Sequence, residues 1–273
     1  MGDRLAVVFP GQGTSGVEGL GEAWELALGR AVGGEVPYQL RVFAGSVDLF
    51  FRLREAGVSP EVVAGHSLGE YAAAVAAGSL ALEDAVGLVA ERDRLMTEAS
   101  RKNPGVMVAV VGADPQDVLR AAEETEGVVV AANFNSPRQT VLSGEPGAVE
   151  AAAGKVGGRK IRLNVAGAFH SPLMQEAALE METLLAGVSF RDPEVPVIGG
   201  SDGAVLRRGE DVRLALQRQM LAPVRWVAVV ERMLELGVAE VVEAGEDGTL
   251  TRMLRDFRGK GLRGRRAGEV LAS

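Results

Sequence analysis

Apolar residues along the chain follow two rhythms. Short β-branched runs bounded by glycine or proline read as buried strands, and apolar positions three and four apart read as amphipathic helices. Residues 5–9 form the first run, stopped by Pro10 and Gly11, and a sheet edge is expected to begin there. Over 39–56, Val42, Phe43, Val47, Phe50 and Leu53 recur at helical steps until Gly57 ends the helix. A short strand at 61–64 then leads into helices at 68–77 and 82–99, parted by Gly78 and Ser79. Strand, turn and helix in that succession predict an α/β fold.

The next stretch alternates differently: strand 106–111, helix 115–124, strands 128–132 and 140–142, helix 148–156 and strand 160–165. The order β-α-β-β-α-β is that of the ferredoxin-like unit. It predicts a small subdomain at 104–166 inserted into a larger α/β domain made of 1–103 and 167–273, with a cleft between the two. The larger domain resumes with a helix near Pro172. Strands follow at 195–198 and 238–243, and helices at 211–220, 226–236 and 250–257. No repeat at a solenoid period is present.

Composition narrows the function without naming it. The 273 residues are 47% hydrophobic and 24% charged, as in ordinary globular proteins. With 29 basic against 37 acidic side chains the net charge is −8, which gives nucleic acid no global electrostatic support. The one basic run, Arg258, Lys260, Arg263, Arg265 and Arg266, is interleaved with glycines and reads as a solvated tail. The absence of cysteine removes disulfides, thiolate nucleophiles and cysteine zinc sites together. The apolar stretch before Pro10 is too short to span a membrane and lacks a signal-peptide pattern, so a cytoplasmic protein is expected.

Gly65-His66-Ser67-Leu68-Gly69 fits G-x-S-x-G directly between a predicted strand and a predicted helix. That context forces a sharp turn exposing the serine hydroxyl, with the next backbone N–H and the helix N-terminus placed to stabilise an oxyanion. An inert serine in a glycine-rich turn is the bland alternative. An alcohol needs a base to attack near neutral pH, and the chain has only two histidines. The turn should direct His66 elsewhere, which leaves His170, in Ala168-Phe169-His170-Ser171-Pro172, as the candidate base. No carboxylate at an obvious strand end lies between Ser67 and His170, so a backbone carbonyl could orient the imidazole instead.

Arg92 lies on the second helix after the elbow, where it could fold back beside the serine and bind a substrate carboxylate bidentately. Composition alone favours a surface arginine paired with Glu91 or Asp93. Gly11, Gly13 and Gly16 match G-x-G-x-x-G after a strand, with Glu35 at a tempting distance for a dinucleotide site. Pro37 interrupts the second strand such a site requires, and a nicotinamide reading leaves the serine elbow unexplained.

Phe9-Pro10-Gly11-Gln12-Gly13, Gly65 to Tyr71, Asn133-Phe134-Asn135-Ser136-Pro137, Gly167 to Met174 and Ala222-Pro223-Val224-Arg225-Trp226 together resemble the malonyl-CoA:acyl carrier protein transacylase family. The resemblance covers about residues 4–257 and implies an α/β-hydrolase-like large domain with a ferredoxin-like insertion. It implies Ser67 as nucleophile, His170 as base, Arg92 as ligand of the malonate carboxylate, and Gln12 with the Leu68 N–H as oxyanion site. Gln39, Asn133 and Asn135 become substrate-site candidates, and the Gln219 backbone carbonyl is expected to orient His170, its side chain being dispensable. The Phe169-His170 pair resembles malonyl-selective rather than methylmalonyl-selective members. Thr14-Ser15 stands where the family commonly has Ser-Gln, the segment between Gly16 and Gln39 is shorter than expected, and Gly245-Glu246-Asp247-Gly248 replaces a more usual Gly-Pro-Gly turn.

The function so implied is transfer of malonyl from malonyl-CoA to the phosphopantetheine thiol of acyl carrier protein through a Ser67 ester, in fatty-acid or polyketide extension. The expected partners are malonyl-CoA and the carrier, with no nucleic acid, membrane, cofactor or metal, and the expected state is a monomer. A serine hydrolase or thioesterase, and a noncatalytic carrier-binding module, are the rivals.

Overall fold

The structure, a computed structural model, describes residues 4–12, 21–257, 259 and 261–272. Strand β1 (Arg4–Phe9) precedes helices α1 (Glu22–Leu28) and α2 (Tyr38–Glu55). Strand β2 (Val62–Gly65) follows, then helices α3 (Gly69–Ala76) and α4 (Leu82–Lys102). The middle of the chain gives β3 (Val106–Val111), α5 (Pro115–Glu123), β4 (Val129–Ser136), β5 (Gln139–Gly144), α6 (Pro146–Gly154) and β6 (Arg159–Arg162). After a 3-10 turn at Pro172–Met174 come α7 (Gln175–Ala186), β7 (Val197–Ile198), β8 (Val205–Leu206), α8 (Gly209–Arg218) and α9 (Trp226–Glu235). The chain continues with β9 (Val238–Glu243), α10 (Thr249–Met253), a 3-10 turn at Leu254–Phe257, β10 (Arg263–Arg266) and α11 (Ala267–Leu271).

The strands make two sheets. The larger has the order β10-β9-β1-β2-β7-β8 and is parallel except for the β7–β8 pair. The smaller, β4-β5-β3-β6, is antiparallel throughout. With α5 and α6 between its strands, this order is that of a ferredoxin-like unit, and the fold is α/β with that unit set into a larger α/β layer.

Strand β1 is buried on both faces, as a parallel strand between helical layers should be. Val7 and Phe9 face the core shared with α2, α3 and α4, while Ala6 and Val8 face Trp226, Val229 and Val230 of α9. The small sheet has its own core, centred on Val110, Val118, Leu142 and Val149. Its helices are started by local signals: Pro115 and Pro146 fill first-turn positions, and the Asp114 carboxylate accepts the Gln116 N–H at 2.8 Å.

Two sequence expectations are corrected. Strand β1 is flanked by β9 and β2 and so lies inside the sheet rather than at an edge. The basic run is not a solvated tail over its described part: Arg263–Arg266 pair in parallel with β9 as an edge strand, and Arg263 and Arg265 form ion pairs with Glu240. Charged side chains on an exposed edge protect it from further pairing, which is why its sequence lacks a strand's apolar run. Arg258 and Lys260 lie outside the described residues.

In the short segment before α2, helix α1 takes its N-terminal cap from another helix. The buried Asp48 carboxylate of α2 accepts the N–H groups of Gly21, Ala23 and Trp24 at 3.1, 3.1 and 3.2 Å.

Candidate active site

The turn between β2 and α3 requires its glycines. A Cβ at Gly65 would lie 2.0 Å from the Gly69 carbonyl carbon, and one at Gly69 would lie 2.1 Å from the Phe9 carbonyl oxygen. The chain can bend this tightly only where backbone meets backbone, and Ser67 is left with φ 52°. Among the described residues, the only other non-glycine with positive φ is His170, at 58°. Each such conformation costs of order 1–3 kcal/mol and persists only where its surroundings hold it. Here the loop carrying His170 is pinned by Ser143, whose hydroxyl donates to the Phe169 carbonyl at 2.7 Å, and by Ser171, whose hydroxyl donates to the Ala168 carbonyl at 2.6 Å.

The two strained residues meet. Ser67 Oγ lies 2.8 Å from His170 Nε2. On the far side of the ring, Nδ1 lies 2.9 Å from the Gln219 carbonyl oxygen and 3.1 Å from that of Ala222. A carbonyl oxygen accepts only, so Nδ1 carries the proton and Nε2 presents its lone pair to the serine hydroxyl. Burial and the nearby Arg92 charge push the imidazole down to about 4, against the two carbonyl bonds, so it is neutral at neutral pH. Backbone carbonyls thus occupy the place of a carboxylate. The Ala222 carbonyl was not anticipated from the sequence.

Arg92 is fully buried, which overturns the surface reading. Glu91 pairs with Arg94 instead, and Asp93 accepts the Gln39 backbone N–H at 3.1 Å. The guanidinium donates to Gln39 Oε1, to Ser67 Oγ at 3.2 Å and to Gln219 Oε1 at 3.1 Å, and it lies 5.9 Å from the centre of the Tyr71 ring. Its hydrogen-bond acceptors are uncharged, and its Nε is buried without a partner. Burial lowers its pKa from the ordinary value, while Tyr71, Glu70 and Asp93 oppose that shift. A buried cation served by neutral acceptors favours the arrival of an anion.

A cavity of about 860 Å³ opens between the two sheets, lined by Ser67, His170, Gln12, Asn133, Asn135 and Phe169 among others. Arg92, Gln39, Leu68 and Gln219 lie behind Ser67 rather than on its wall. Leu68 caps α3, with its side chain in the core and its N–H beside the serine at the helix start. Asn135 is engaged on both sides, accepting from His66 Nε2 at 2.9 Å and donating to Gln139 at 2.8 Å. His66 therefore ties the elbow to the small sheet, turned away from the serine's own base. A second cavity of about 870 Å³, beside α10 and β10, contains none of the candidate residues.

The Gln219 side chain is not idle, contrary to expectation. Its Nε2 donates to the Ser67 carbonyl at 2.9 Å and to Glu70 Oε1 at 2.8 Å, while its oxygen accepts from Arg92. Glu70 itself went unnoticed in the sequence, although a lone carboxylate on the otherwise apolar helix α3 was a signal. The dinucleotide reading falls for a local reason. Gly11 is small because a Cβ there would meet the His66 carbonyl at 2.4 Å, and Glu35 sits in a tight turn bridged to Val32. Gly13, Thr14, Ser15 and Gly16 lie outside the described residues. Among the described residues, no three His, Asp or Glu side chains converge to hold a metal ion.

A strand-turn-helix elbow that offers a serine hydroxyl to a neutral imidazole defines a class: enzymes that carry acyl groups on serine. The profile of the acyl transferase domain matches residues 34–260. A malonyl CoA-acyl carrier protein transacylase from Haemophilus influenzae is 35% identical over 275 residues, covering 89% of this chain and 88% of its own. The solved malonyl-CoA:acyl carrier protein transacylase of Xanthomonas oryzae superposes with a TM-score of 0.89 at 33% identity, over 100% of this chain and 99% of that one. A malonyl-transacylase solved in complex with its type II PKS acyl-carrier protein gives 0.89 at 31% identity, over 98% of each chain. The chain belongs to the acyl transferase family, among the malonyl-CoA:acyl carrier protein transacylases.

Proposed function

We propose that the protein moves a malonyl group from malonyl-CoA to the phosphopantetheine thiol of an acyl carrier protein, by way of an ester on Ser67. The observation that carries this reading is the serine hydroxyl held between His170 Nε2 and Arg92, at 2.8 and 3.2 Å. Ser67 Oγ attacks the thioester carbonyl as Nε2 takes its proton, and the oxyanion falls to the Leu68 N–H and Gln12. The C–S bond then breaks, and the imidazolium returns the proton to the coenzyme A sulfur. The carrier thiol repeats the steps in reverse: it gives its proton to His170, attacks the ester, and Ser67 leaves with the proton restored.

Arg92 pairs with the free malonate carboxylate, exchanging its bonds to Gln39 and Ser67 for a charged acceptor. Asn133 borders the substrate on the cavity wall, Gln39 acts behind it through Arg92, and Asn135 shapes the site through His66. Phe169 on the cavity wall disfavours an added methyl by about 1–3 kcal/mol. The reaction needs no cofactor or metal. The catalytic domain comprises residues 1–103 and 167–273, with the subdomain at 104–166 supplying the opposite wall. Among the described residues no helix is long and apolar enough to cross a membrane. A cytoplasmic monomer that meets a diffusible carrier is part of the same proposal.

Intact-mass measurement after brief exposure to malonyl-CoA tests the proposal. Wild type gains a malonyl adduct that Ser67→Ala lacks, and a phosphopantetheinylated carrier discharges it. Release of free malonate would make the protein a hydrolase. No adduct, with malonyl-CoA intact, would make it a carrier-binding module.

A further inference from the structure

The Gln219 side chain joins the serine's backbone to the arginine, and it could do so in two orientations. A primary amide has donors at one end and an acceptor at the other, in nearly the same shape. Only one orientation suits Arg92, which donates and needs the oxygen. Three groups distinguish the two ends: Arg92, which only donates, and the Ser67 carbonyl and Glu70, which accept. Of these, Glu70, buried on α3 and 5% exposed, is the one that can be changed without touching the serine or the arginine. Its Oε2 accepts the Gly200 N–H at 3.0 Å, and its Oε1 accepts Gln219 Nε2 at 2.8 Å. The backbone closes on this carboxyl group: a Cβ at Gly200 would lie 2.6 Å from Glu70 Oε1.

We propose that Glu70 is a positioning residue for acyl transfer: its carboxyl group dictates which way round the Gln219 amide sits, and through that amide where Arg92 is held. With its two oxygens facing two N–H donors, Glu70 joins the Ser67 carbonyl in drawing the amide nitrogen, and the amide oxygen is left for Arg92. Burial pushes the carboxyl group up to about 7, so the kinetics are read above that pH, where both oxygens accept. Glu70 touches neither the serine hydroxyl nor the cavity. Its effect should fall more on the acyl group that Arg92 recognises than on the serine, which His170 also holds, and this part of the inference rests on the malonyl-transfer reading above.

Glu70→Gln keeps the size and removes one acceptor. Its NH₂ must then face either the Gly200 N–H or Gln219 Nε2, donor against donor; in the second case the Gln219 amide either withdraws or turns over, setting its NH₂ against Arg92 and its oxygen against the Ser67 carbonyl, and either way Arg92 loses an acceptor. The experiment compares wild type, Glu70→Gln and Glu70→Asp by thermal unfolding, by acylation rates with malonyl-CoA and with acetyl-CoA, and by crystal structures of wild type and Glu70→Gln. The expected result is a folded Glu70→Gln whose malonyl-CoA kcat/KM falls about tenfold while the acetyl-CoA value changes much less. Glu70→Asp, with both oxygens one methylene back, recovers part of the lost ratio. Should Glu70→Gln not fold, Glu70→Asp carries the test, with a shift in the same direction and of smaller size.

Equal losses with both thioesters, or none, would overturn the proposal. If wild type reacts with neither thioester, the transferase reading fails. The crystal structures then decide the positioning claim alone: Arg92 released from residue 219 in Glu70→Gln supports it, and an unchanged contact sinks it.

Discussion

The cleft has two unlike walls. On the large-sheet side, Ser67 and His170 hold left-handed backbone conformations, and Arg92, Glu70, Gln39 and Gln219 form a buried polar network behind the serine. On the small-sheet side the positive-φ positions are glycines, such as Gly112, Gly144 and Gly158, and the core is aliphatic. One wall stores strain and charge; the other packs by ordinary rules. The two are nevertheless stitched together, since the Val224 N–H donates to Ala132 and its carbonyl accepts from Phe134, both at 2.8 Å, next to the carbonyls that orient His170. A wall with regular packing can hold a strained one in place without itself carrying chemistry.

That division can be broken from either side. The largest effect is expected from Arg92→Ala, which removes the buried cation. The kcat/KM for malonyl-CoA should fall by roughly 10- to 100-fold, the value of hydrogen bonds to a charged group, with a much smaller change for acetyl-CoA. Paired kinetics with the two thioesters read the ratio, and an unchanged ratio would remove Arg92 from substrate recognition.

Leu142→Ala tests the opposite wall. Leu142 is fully buried in the small core, so the substitution should cost about 2–5 kcal/mol by denaturant unfolding while leaving the thioester preference of the folded protein unaltered. A changed preference would mean that the small sheet does more than support.

A smaller effect should appear in stability against pH, where the active wall titrates in two opposing directions. Burial raises Glu70 from 4.5 to about 7, so its contribution is full below 4.5 and is lost as the pH rises to about 7. Burial and Arg92 lower His170 from 6.5 to about 4, so its contribution is full above 6.5 and is lost as the pH falls to about 4. His66 is lowered by burial in the same sense. In wild type the Glu70 slope therefore offsets part of the two histidine slopes between pH 4.5 and 6.5. Glu70→Gln, freed of one opposing slope, should melt progressively higher as the pH rises across that window. Parallel curves for the two proteins would show that Glu70 does not titrate there.

The regular parts of both walls were legible in the sequence, because residues 106–111 and the helical spacing of 39–56 announce themselves within a few positions. The elbow was legible for the same reason, its glycines lying within five residues. Helix α1 was not, since its N–H groups are capped by Asp48, some 25 residues away. Strand β10 was hidden because an edge strand of arginines carries the composition of a tail. The Glu70–Gln219 contact joins residues 149 apart through a single side-chain pair, a distance at which no periodicity speaks.

One feature of the site bears on how it would look to genetics. The acceptors that orient His170 are main-chain oxygens of residues 219 and 222, and every amino acid supplies such an oxygen. The imidazole's tautomer is therefore written in the path of the chain and not in any codon. No single substitution in a saturation screen would remove these oxygens, and any effect at 219 would come from its side chain's bonds to Ser67, Glu70 and Arg92, whereas an insertion or deletion between 219 and 222 would shift both oxygens at once.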